Sequence, residues 1–452
     1  MSVFEQVKLR DDHSADSRPD LLHRAAETES EISFSDPLRK AETPVMRVDR
    51  NALELQFQIE GELFGNSVFK DALNIPTRPF SEDLFTNHHH IALHTQELGQ
   101  LSNELTSAIQ RCLEPHANRR VGLLLSGGID SSLAAYHTKK VFPRTDLVAY
   151  HTDWGIPELS EREYASIAAD FAGVELRVVD TSAESQLSVH DEALQACHTI
   201  SYSVVPVFMA LKRMVEDGVD VAVNALGLDE LFAAYNVHRL YYRRRSPHII
   251  PYSRRLLRLQ KYRGAVLRWG TDRSWMLSTM APKAWMTYVL DSDQTVSEVY
   301  DRHIRRDDLW NSLHLYLLEK MVSTFANMMS RAGKAAGIEV LYPYLDRRLI
   351  EFCMSLSPAA KYNKAPLRTL MRTKYGFSEA IASSGENWDK RGWGGTPVPY
   401  FRSKLYMEKV RPDMNLARDW FTEDALRLLD LSNKPTTDGL HMALFLKMIE
   451  HG

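Results

Sequence analysis

Ser126-Gly127-Gly128-Ile129-Asp130-Ser131-Ser132 carries the densest chemistry in the chain. Two adjacent glycines let backbone N–H groups approach an anion with no Cβ in the way. Ser126, Ser131 and Ser132 add hydroxyl donors. Asp130 is the odd member, because a carboxylate repels a phosphate. The conflict vanishes if Asp130 holds a divalent cation that the phosphates also bind. The segment therefore reads as a cradle for magnesium and pyrophosphate. No Gly-Lys-Ser/Thr follows, so it is not a Walker A loop, and the Gly-x-Gly-x-x-Gly dinucleotide pattern is absent. A second acidic position, Asp229, lies in Asn224-Ala225-Leu226-Gly227-Leu228-Asp229-Glu230. It can share the metal with Asp130. Taken alone it reads equally as a helix first turn, where the dipole favours acids.

These residues need elements to hold them. The apolar run Val121–Leu125 predicts a strand feeding the glycine turn, and residues 131–140 a helix. Leu147–Tyr150 predicts a second strand, 160–172 a helix, Val174–Val179 a third strand and Val219–Val223 a fourth. Short apolar strands alternating with helices imply an α/β fold, a parallel sheet with helices on both faces. In such sheets ligands sit beyond the carboxyl ends of the strands, and the first and fourth strands end in the two candidate sites. After residue 235 the pattern is largely helical. Upstream, Leu98, Leu101, Leu105, Ile109 and Leu113 are at helical spacing, closed by Pro115. Leu53, Leu55, Phe57 and Ile59 alternate with polar residues, which predicts a half-buried strand in a small N-terminal region over 46–95. Residues 1–45 are polar and aperiodic, a flexible lead-in. The main domain then covers 96–430, with a C-terminal tail or helix over 431–452.

Composition bounds the rest. The 452 residues carry a net charge of −4, so there is no global basic field for nucleic acid. Cys112, Cys197 and Cys353 are scattered, which fits a reducing cytoplasm and argues against a zinc site. No apolar run is long enough to span a bilayer, and Met1-Ser2-Val3-Phe4 opens no signal peptide. Cytoplasmic localisation and no membrane partner follow as expectations. Basic residues between Arg239 and Arg268 interleave with tyrosines. That stretch is an RNA-binding face, a solvated helix or a contact for an acidic partner. His88-His89-His90 reads as a solvated turn, since consecutive residues on a regular element cannot all face one ion.

Ser-Gly-Gly-Ile-Asp-Ser resembles the PP-loop of the ATP pyrophosphatases, which cleave ATP to AMP and pyrophosphate. Gly227-Leu228-Asp229-Glu230-Leu231-Phe232-Ala233-Ala234-Tyr235 resembles the second signature of the asparagine synthetase family. Ile338–Asp346, Leu349–Phe352, Lys364-Ala365-Pro366-Leu367-Arg368 and Lys390–Pro397 are similar to further motifs of that family, in family order. The resemblance implies a fold of the adenine nucleotide alpha hydrolase type, with ATP and Mg2+ as cofactors. It also implies adenylation of a carboxylate followed by displacement of AMP by an amine. By the same resemblance, Ser126, Gly127, Gly128, Asp130, Ser131 and Ser132 would grip pyrophosphate and metal, and Asp229 would hold the second magnesium. Leu124, Tyr150, His151, Asn224, Ala225 and Gly227 would flank the nucleotide, and Lys390 would stabilise charge at adenylation and amide formation.

The chain also departs from that family. Residue 2 is Ser2, where glutamine-dependent members carry a nucleophilic cysteine, so glutamine hydrolysis is not expected. Leu226 stands where asparagine synthetases have glutamate and β-lactam synthetases a tyrosine. Tyr342, Tyr344 and Glu339 lie nearby in the matched motif as substitute bases, with Tyr342 and Glu339 as the catalytic candidates; alternatively the nucleophile needs no base. Phe325, Met328 and Met329 replace polar residues, which argues against aspartate as substrate. Pro157–Ser166 is similar to a β-lactam synthetase stretch, although an acidic helix start explains it equally. These features predict an ATP-dependent carbon–nitrogen ligase that closes a ring within one amino-acid-like substrate, in a specialised-metabolite (antibiotic-type) pathway. The rivals are intermolecular amidation by ammonia or an amine, macrocyclisation of a peptide as in lasso cyclases, and RNA modification by a PP-loop enzyme. A homo-oligomer is left open.

Overall fold

A computed structural model describes residues 47–59, 68, 95–235, 237–239, 288–292, 309–386, 404–429 and 437–451. The core is a five-stranded, wholly parallel sheet in the order β3-β2-β1-β4-β5. Its strands are β1 (Val121–Leu124), β2 (Leu147–Asp153), β3 (Glu175–Asp180), β4 (Val221–Val223) and β5 (Glu339–Leu341). The four predicted strands are present, each within a few residues of its expected bounds. β5 was not anticipated: it lies inside a family-like motif and opens on the exposed Glu339, so no unbroken apolar run marks it. β1 is the middle strand. The chain leaves it for β2 on one side, and β4 later returns on its other side, so β1 and β4 form the topological switch point where α/β sheets bind ligands.

The helices run α1 (Arg50–Ile59), α2 (Thr95–Leu113), α3 (Ile129–Val141), α4 (Arg162–Ala172), α5 (Ala183–Cys197) and α6 (Val204–Glu216). Then follow α7 (Leu228–Leu231), α8 (Leu309–Met321), α9 (Asn327–Ala336), α10 (Arg347–Ser355) and α11 (Ala365–Leu370). α12 (Thr437–His451) is the last described element. Helices α2, α3 and α4 pack successively on one another, and α5, α6 and α9 form a second packed group. α6 shows why these faces are buried. Val204, Val205, Val207, Phe208, Leu211 and Met214 are all sequestered, while Arg213 and Glu216 stay outside. Among the described residues no helix is long and apolar enough to cross a membrane.

The strand expected over 53–59 is a helix. Leu53 and Phe57 satisfy both periods, since they are two alternations or one helical turn apart. The buried set is Leu53, Glu54, Gln56 and Phe57, a helical stripe. Asp49 decides the matter, because its carboxylate caps the first turn, accepting from Asn51 N at 3.0 Å and Ala52 N at 3.1 Å. The helix seats against distant chain. Phe57 stacks on Tyr288 at 5.0 Å and meets Phe421 edge-on, while Arg50 lies 4.2 Å over the Trp420 ring. Buried Glu54 accepts the backbone N–H groups of Tyr288 and Val289, at 2.9 and 2.6 Å.

On the α2–α3 side, His137 is fully buried, with Nδ1 3.1 Å from the Thr106 hydroxyl and Tyr375 edge-on to its ring. Burial, aided by Lys140 and Lys374, lowers its pKa from 6.5 to about 3. Below pH 6.5 the unfolded chain takes up a proton here that the folded chain refuses until about pH 3. This contribution to stability is therefore whole above pH 6.5 and is lost progressively as the pH falls. Urea midpoints measured across that range should show stability falling with acid. His137→Asn should flatten the slope by about one proton, and an unchanged slope would count against the assignment.

Candidate active site

The ladder of β1 continues one residue past its end, where Leu125 N donates to Tyr150 O at 2.8 Å, and the chain then turns at Ser126-Gly127-Gly128. Gly127 is left-handed, at φ 78°, and a Cβ there would lie 2.4 Å from the Tyr164 carbonyl carbon. The turn is thus seated on the first turn of α4, and only glycine allows both the conformation and the approach. Ser126 and Ser131 brace the loop: their hydroxyls lie 3.1 Å apart, and Gly128 N donates to Ser126 Oγ at 3.2 Å. α3 starts at Ile129 with Gly128 as its N-cap and no side-chain cap. Its first N–H groups and dipole are therefore suited to an anion. Ser132, expected among the hydroxyl donors, is instead fully buried on the inward side of α3.

Asp130 projects from this helix start. Asp229 comes from α7, the short helix that follows β4. Its approach depends on Gly227, at φ 121°, where a Cβ would meet Tyr344 O at 3.0 Å. The segment behind that contact is pinned by Asp346. Its buried carboxylate caps α10 through Leu349 N at 3.0 Å and takes a two-pronged bond from Arg111, at 2.8 and 2.5 Å.

The two carboxylates converge on Lys364. Its Nζ donates to both Asp130 oxygens, at 2.6 and 2.7 Å, and is in direct contact with Asp229 Oδ1. Burial alone would lower the pKa of this ammonium, but the two carboxylates outweigh it and hold the pKa above the ordinary lysine value. The backbone beneath is unusual. Asn363 and Lys364 are both left-handed, at φ 51° and 57°. Their N–H groups donate to Ala233 O at 3.3 Å and Phe232 O at 2.8 Å, and Ala233 is itself at φ 53°. Arg368 secures the turn by donating to Asn363 O and, at 2.7 Å, to Ser384 O. Each non-glycine residue in that region costs on the order of 1–3 kcal/mol, so surrounding contacts must over-determine the turn. Lys364 stood in a recognised motif with no role assigned; only the long-range fold reveals its position.

The remaining candidates divide. Asn224 continues the β4–β5 ladder by donating to Leu341 O at 2.9 Å, and its side chain accepts Leu226 N at 3.0 Å while touching the Met329 sulfur at 2.8 Å. Ala225 and Leu226 follow, half-buried. Leu124 ends β1 beside Tyr150. The ring of Tyr150 is committed elsewhere, its hydroxyl donating to Asp217 at 2.9 Å, with burial and that carboxylate raising its pKa to about 12. Only its backbone is available to flank a ligand. His151 is buried, with its pKa lowered by burial and Nδ1 3.0 Å from Leu125 O; a carbonyl only accepts, so Nδ1 carries the proton.

Glu339 and Tyr342 do not gather at the site, and Tyr344, close enough to feel the Asp130 charge, is sealed by burial. Glu339 lies at the opposite, amino edge of the sheet, paired in register with Val221, and is exposed. Tyr342 is buried; its hydroxyl donates to Ala326 O at 2.9 Å beside Ser330 Oγ, and burial pushes its pKa up. Tyr344 is likewise buried, with its pKa raised well above normal by burial. A phenol with a raised pKa is a poor base at neutral pH. Of the apolar trio, Phe325 is half-buried in a π turn (Val322–Ala326), and Met328 and Met329 are buried at the start of α9. Lys390, His88–His90 and nearly all of Arg239–Arg268 lie outside the described residues.

Two carboxylates closing on one cationic position suit magnesium, which takes one or two carboxylates and completes its shell with water and substrate phosphates. Among the described residues no group of three or more potential metal ligands occurs.

A family model described as Asparagine synthase matches residues 100–382, which spans every motif named here except Lys390–Pro397. A probable glutamine-hydrolysing asparagine synthetase of Acanthamoeba polyphaga mimivirus is 22% identical over 339 residues, 67% of this chain and 49% of that protein. A putative asparagine synthetase of Methanocaldococcus jannaschii is 28% identical over 131 residues, 28% of this chain and 23% of that protein. The chain thus spans at most about half the length of these curated relatives. An NH3-dependent NAD synthetase structure from Campylobacter jejuni is 20% identical, with a TM-score of 0.23, covering 30% of this chain and 60% of that one, too slight a likeness to argue from.

The two glycines should behave differently. A Cβ on Gly128 meets only Ser126 Oγ, at 3.3 Å, whereas one on Gly127 strikes backbone. Gly127→Ala should weaken pyrophosphate binding, measured calorimetrically, by roughly tenfold or more, about 1.4 kcal/mol. Gly128→Ala should lose less. The reverse order would contradict this loop geometry.

Proposed function

The chain belongs to the asparagine synthase family, and on that footing we propose that it is an ATP-dependent carbon–nitrogen ligase. It adenylates a substrate carboxylate, releases pyrophosphate and lets an amine displace AMP. The observation that carries this reading is the convergence of Asp130 and Asp229 on one cationic position beside an uncapped helix start. Splitting ATP at the α–β bond requires that charge on the departing pyrophosphate be met by donors already in place. Asp130 and Asp229 would hold magnesium, which when bound supplies Lewis-acid neutralisation of the phosphates. The N–H groups at the start of α3, with the Ser126 and Ser131 hydroxyls, bind pyrophosphate oxygens. Lys390, in the segment similar to the family's lysine loop, stabilises the negative charge that develops on oxygen during adenylation and at the tetrahedral amide-forming step.

We take the new amide to close a ring within one small amino-acid-like substrate. Leucine at 226 can neither take nor give a proton, and Phe325, Met328 and Met329 stand where the family has polar residues. Apolar surroundings disfavour a charged ammonium, so an entering amine is kept nucleophilic with no dedicated base. A nucleophile tethered to its own activated carboxylate also needs no second binding site. The likeness of Pro157–Ser166 to β-lactam synthetases points the same way. On this reading the protein works in the cytoplasm, in specialised metabolism. The names of the curated relatives favour the competing reading, intermolecular amidation by ammonia or an amine.

The test is carboxylate-dependent pyrophosphate release from Mg-ATP across β-amino and diamino acids, with mass spectrometry of the product. Ring closure gives AMP, pyrophosphate and a product lighter by one water, with no added amine. An obligatory separate amine or ammonia would exclude it. Asp130→Ala should lower pyrophosphate release by about 100-fold or more; unchanged turnover would overturn the site.

A further inference from the structure

We propose that Lys364 sets the order in which the site fills. Its ammonium holds the Asp130–Asp229 pair until nucleotide phosphates draw it away, so the metal enters with ATP and not ahead of it. This inference rests on the reading of the site as one for Mg-ATP.

The geometry makes metal and ammonium competitors. Nζ engages both Asp130 oxygens, at 2.6 and 2.7 Å, and the facing Asp229 oxygen. A magnesium ion needs such oxygens at about 2.0–2.1 Å, so it cannot take them while Nζ is there. Charge points the same way, because the ammonium offsets part of the negative charge that would attract a dication. Retreat of the backbone is blocked, since the N–H groups of Asn363 and Lys364 are bonded to Ala233 O and Phe232 O. The freedom left is rotation of the four-carbon stem. Arg368, the next cation in the motif, is tied to backbone carbonyls of Asn363 and Ser384 and cannot substitute. Phosphates supply the missing charge and offer the ammonium a new partner.

The experiment titrates the full chain with Mn2+ by electron paramagnetic resonance, with no nucleotide, for wild type, Lys364→Met and Lys364→Arg. Lys364→Met should bind Mn2+ roughly tenfold or more tightly than wild type, and Lys364→Arg should stay close to wild type. A non-hydrolysable ATP analogue should raise wild-type Mn2+ affinity by roughly tenfold or more. Melting gives a second readout. Lys364→Met should lose thermal stability and regain it with Mg2+ alone, while wild type should not respond to Mg2+ alone. Equal Mn2+ binding by wild type and Lys364→Met would overturn the proposal, as would a destabilised Lys364→Met that Mg2+ fails to rescue. Both readings fail separately. A wild type that releases pyrophosphate yet binds Mn2+ regardless of Lys364 refutes the ordering alone. A chain that never releases pyrophosphate refutes the ligase reading, while the metal titrations still report on Lys364.

Discussion

Two carboxylates brought together in a partly buried place repel each other unless a cation lies between them, and much of this molecule is arranged around that constraint. Asp130 and Asp229 arrive on different helices because the sheet places β1 beside β4. Each is delivered by a glycine turn whose fit depends on a neighbour: Gly127 on the start of α4, Gly227 on the carbonyl of Tyr344. The Arg111–Asp346 pair holds the second of those neighbours and ties α2 to the start of α10. An interaction 235 residues apart in sequence thereby helps to fix the approach of Asp229.

The cation comes from a turn that local preference would not choose. Ala233, Asn363 and Lys364 occupy backbone conformations that suit glycine, and the N–H groups of Asn363 and Lys364 are bonded to the carbonyls of Ala233 and Phe232. Such a pairing makes the position of the Lys364 Cα a property of the fold and leaves only its side chain adjustable. Strain of this kind is usual where a group must be presented at one place.

Local chemistry was legible in the sequence; long-range placement was not. The glycine loop could be read because its glycines, hydroxyls and carboxylate are contiguous and follow an apolar run. Strands β1 to β4 could be read for the same reason. α1 was misread because Leu53 and Phe57 fit either period, and the deciding residue, Asp49, lies outside the apolar run. Glu339 and Tyr342 looked available because they stand near one another in sequence. Glu339 opens β5 and Tyr342 follows its last residue, so one lies at the far edge of the sheet and the other is locked among Ala326 and Ser330. Lys364 was visible as part of a motif, but its meaning depends on a contact with Asp130 across 234 residues.

The seating of α1 bears on how the protein is made. Its partners, Tyr288, Trp420 and Phe421, are synthesised long after it. At about 5–20 residues per second, Phe57 waits on the order of 20–70 s for Phe421 to leave the ribosome. During that time Phe57 lacks the rings of Tyr288 and Phe421, and the Glu54 carboxylate lacks the two amides it will bind. These contacts of the first described helix are therefore completed only when nearly the whole chain has been made.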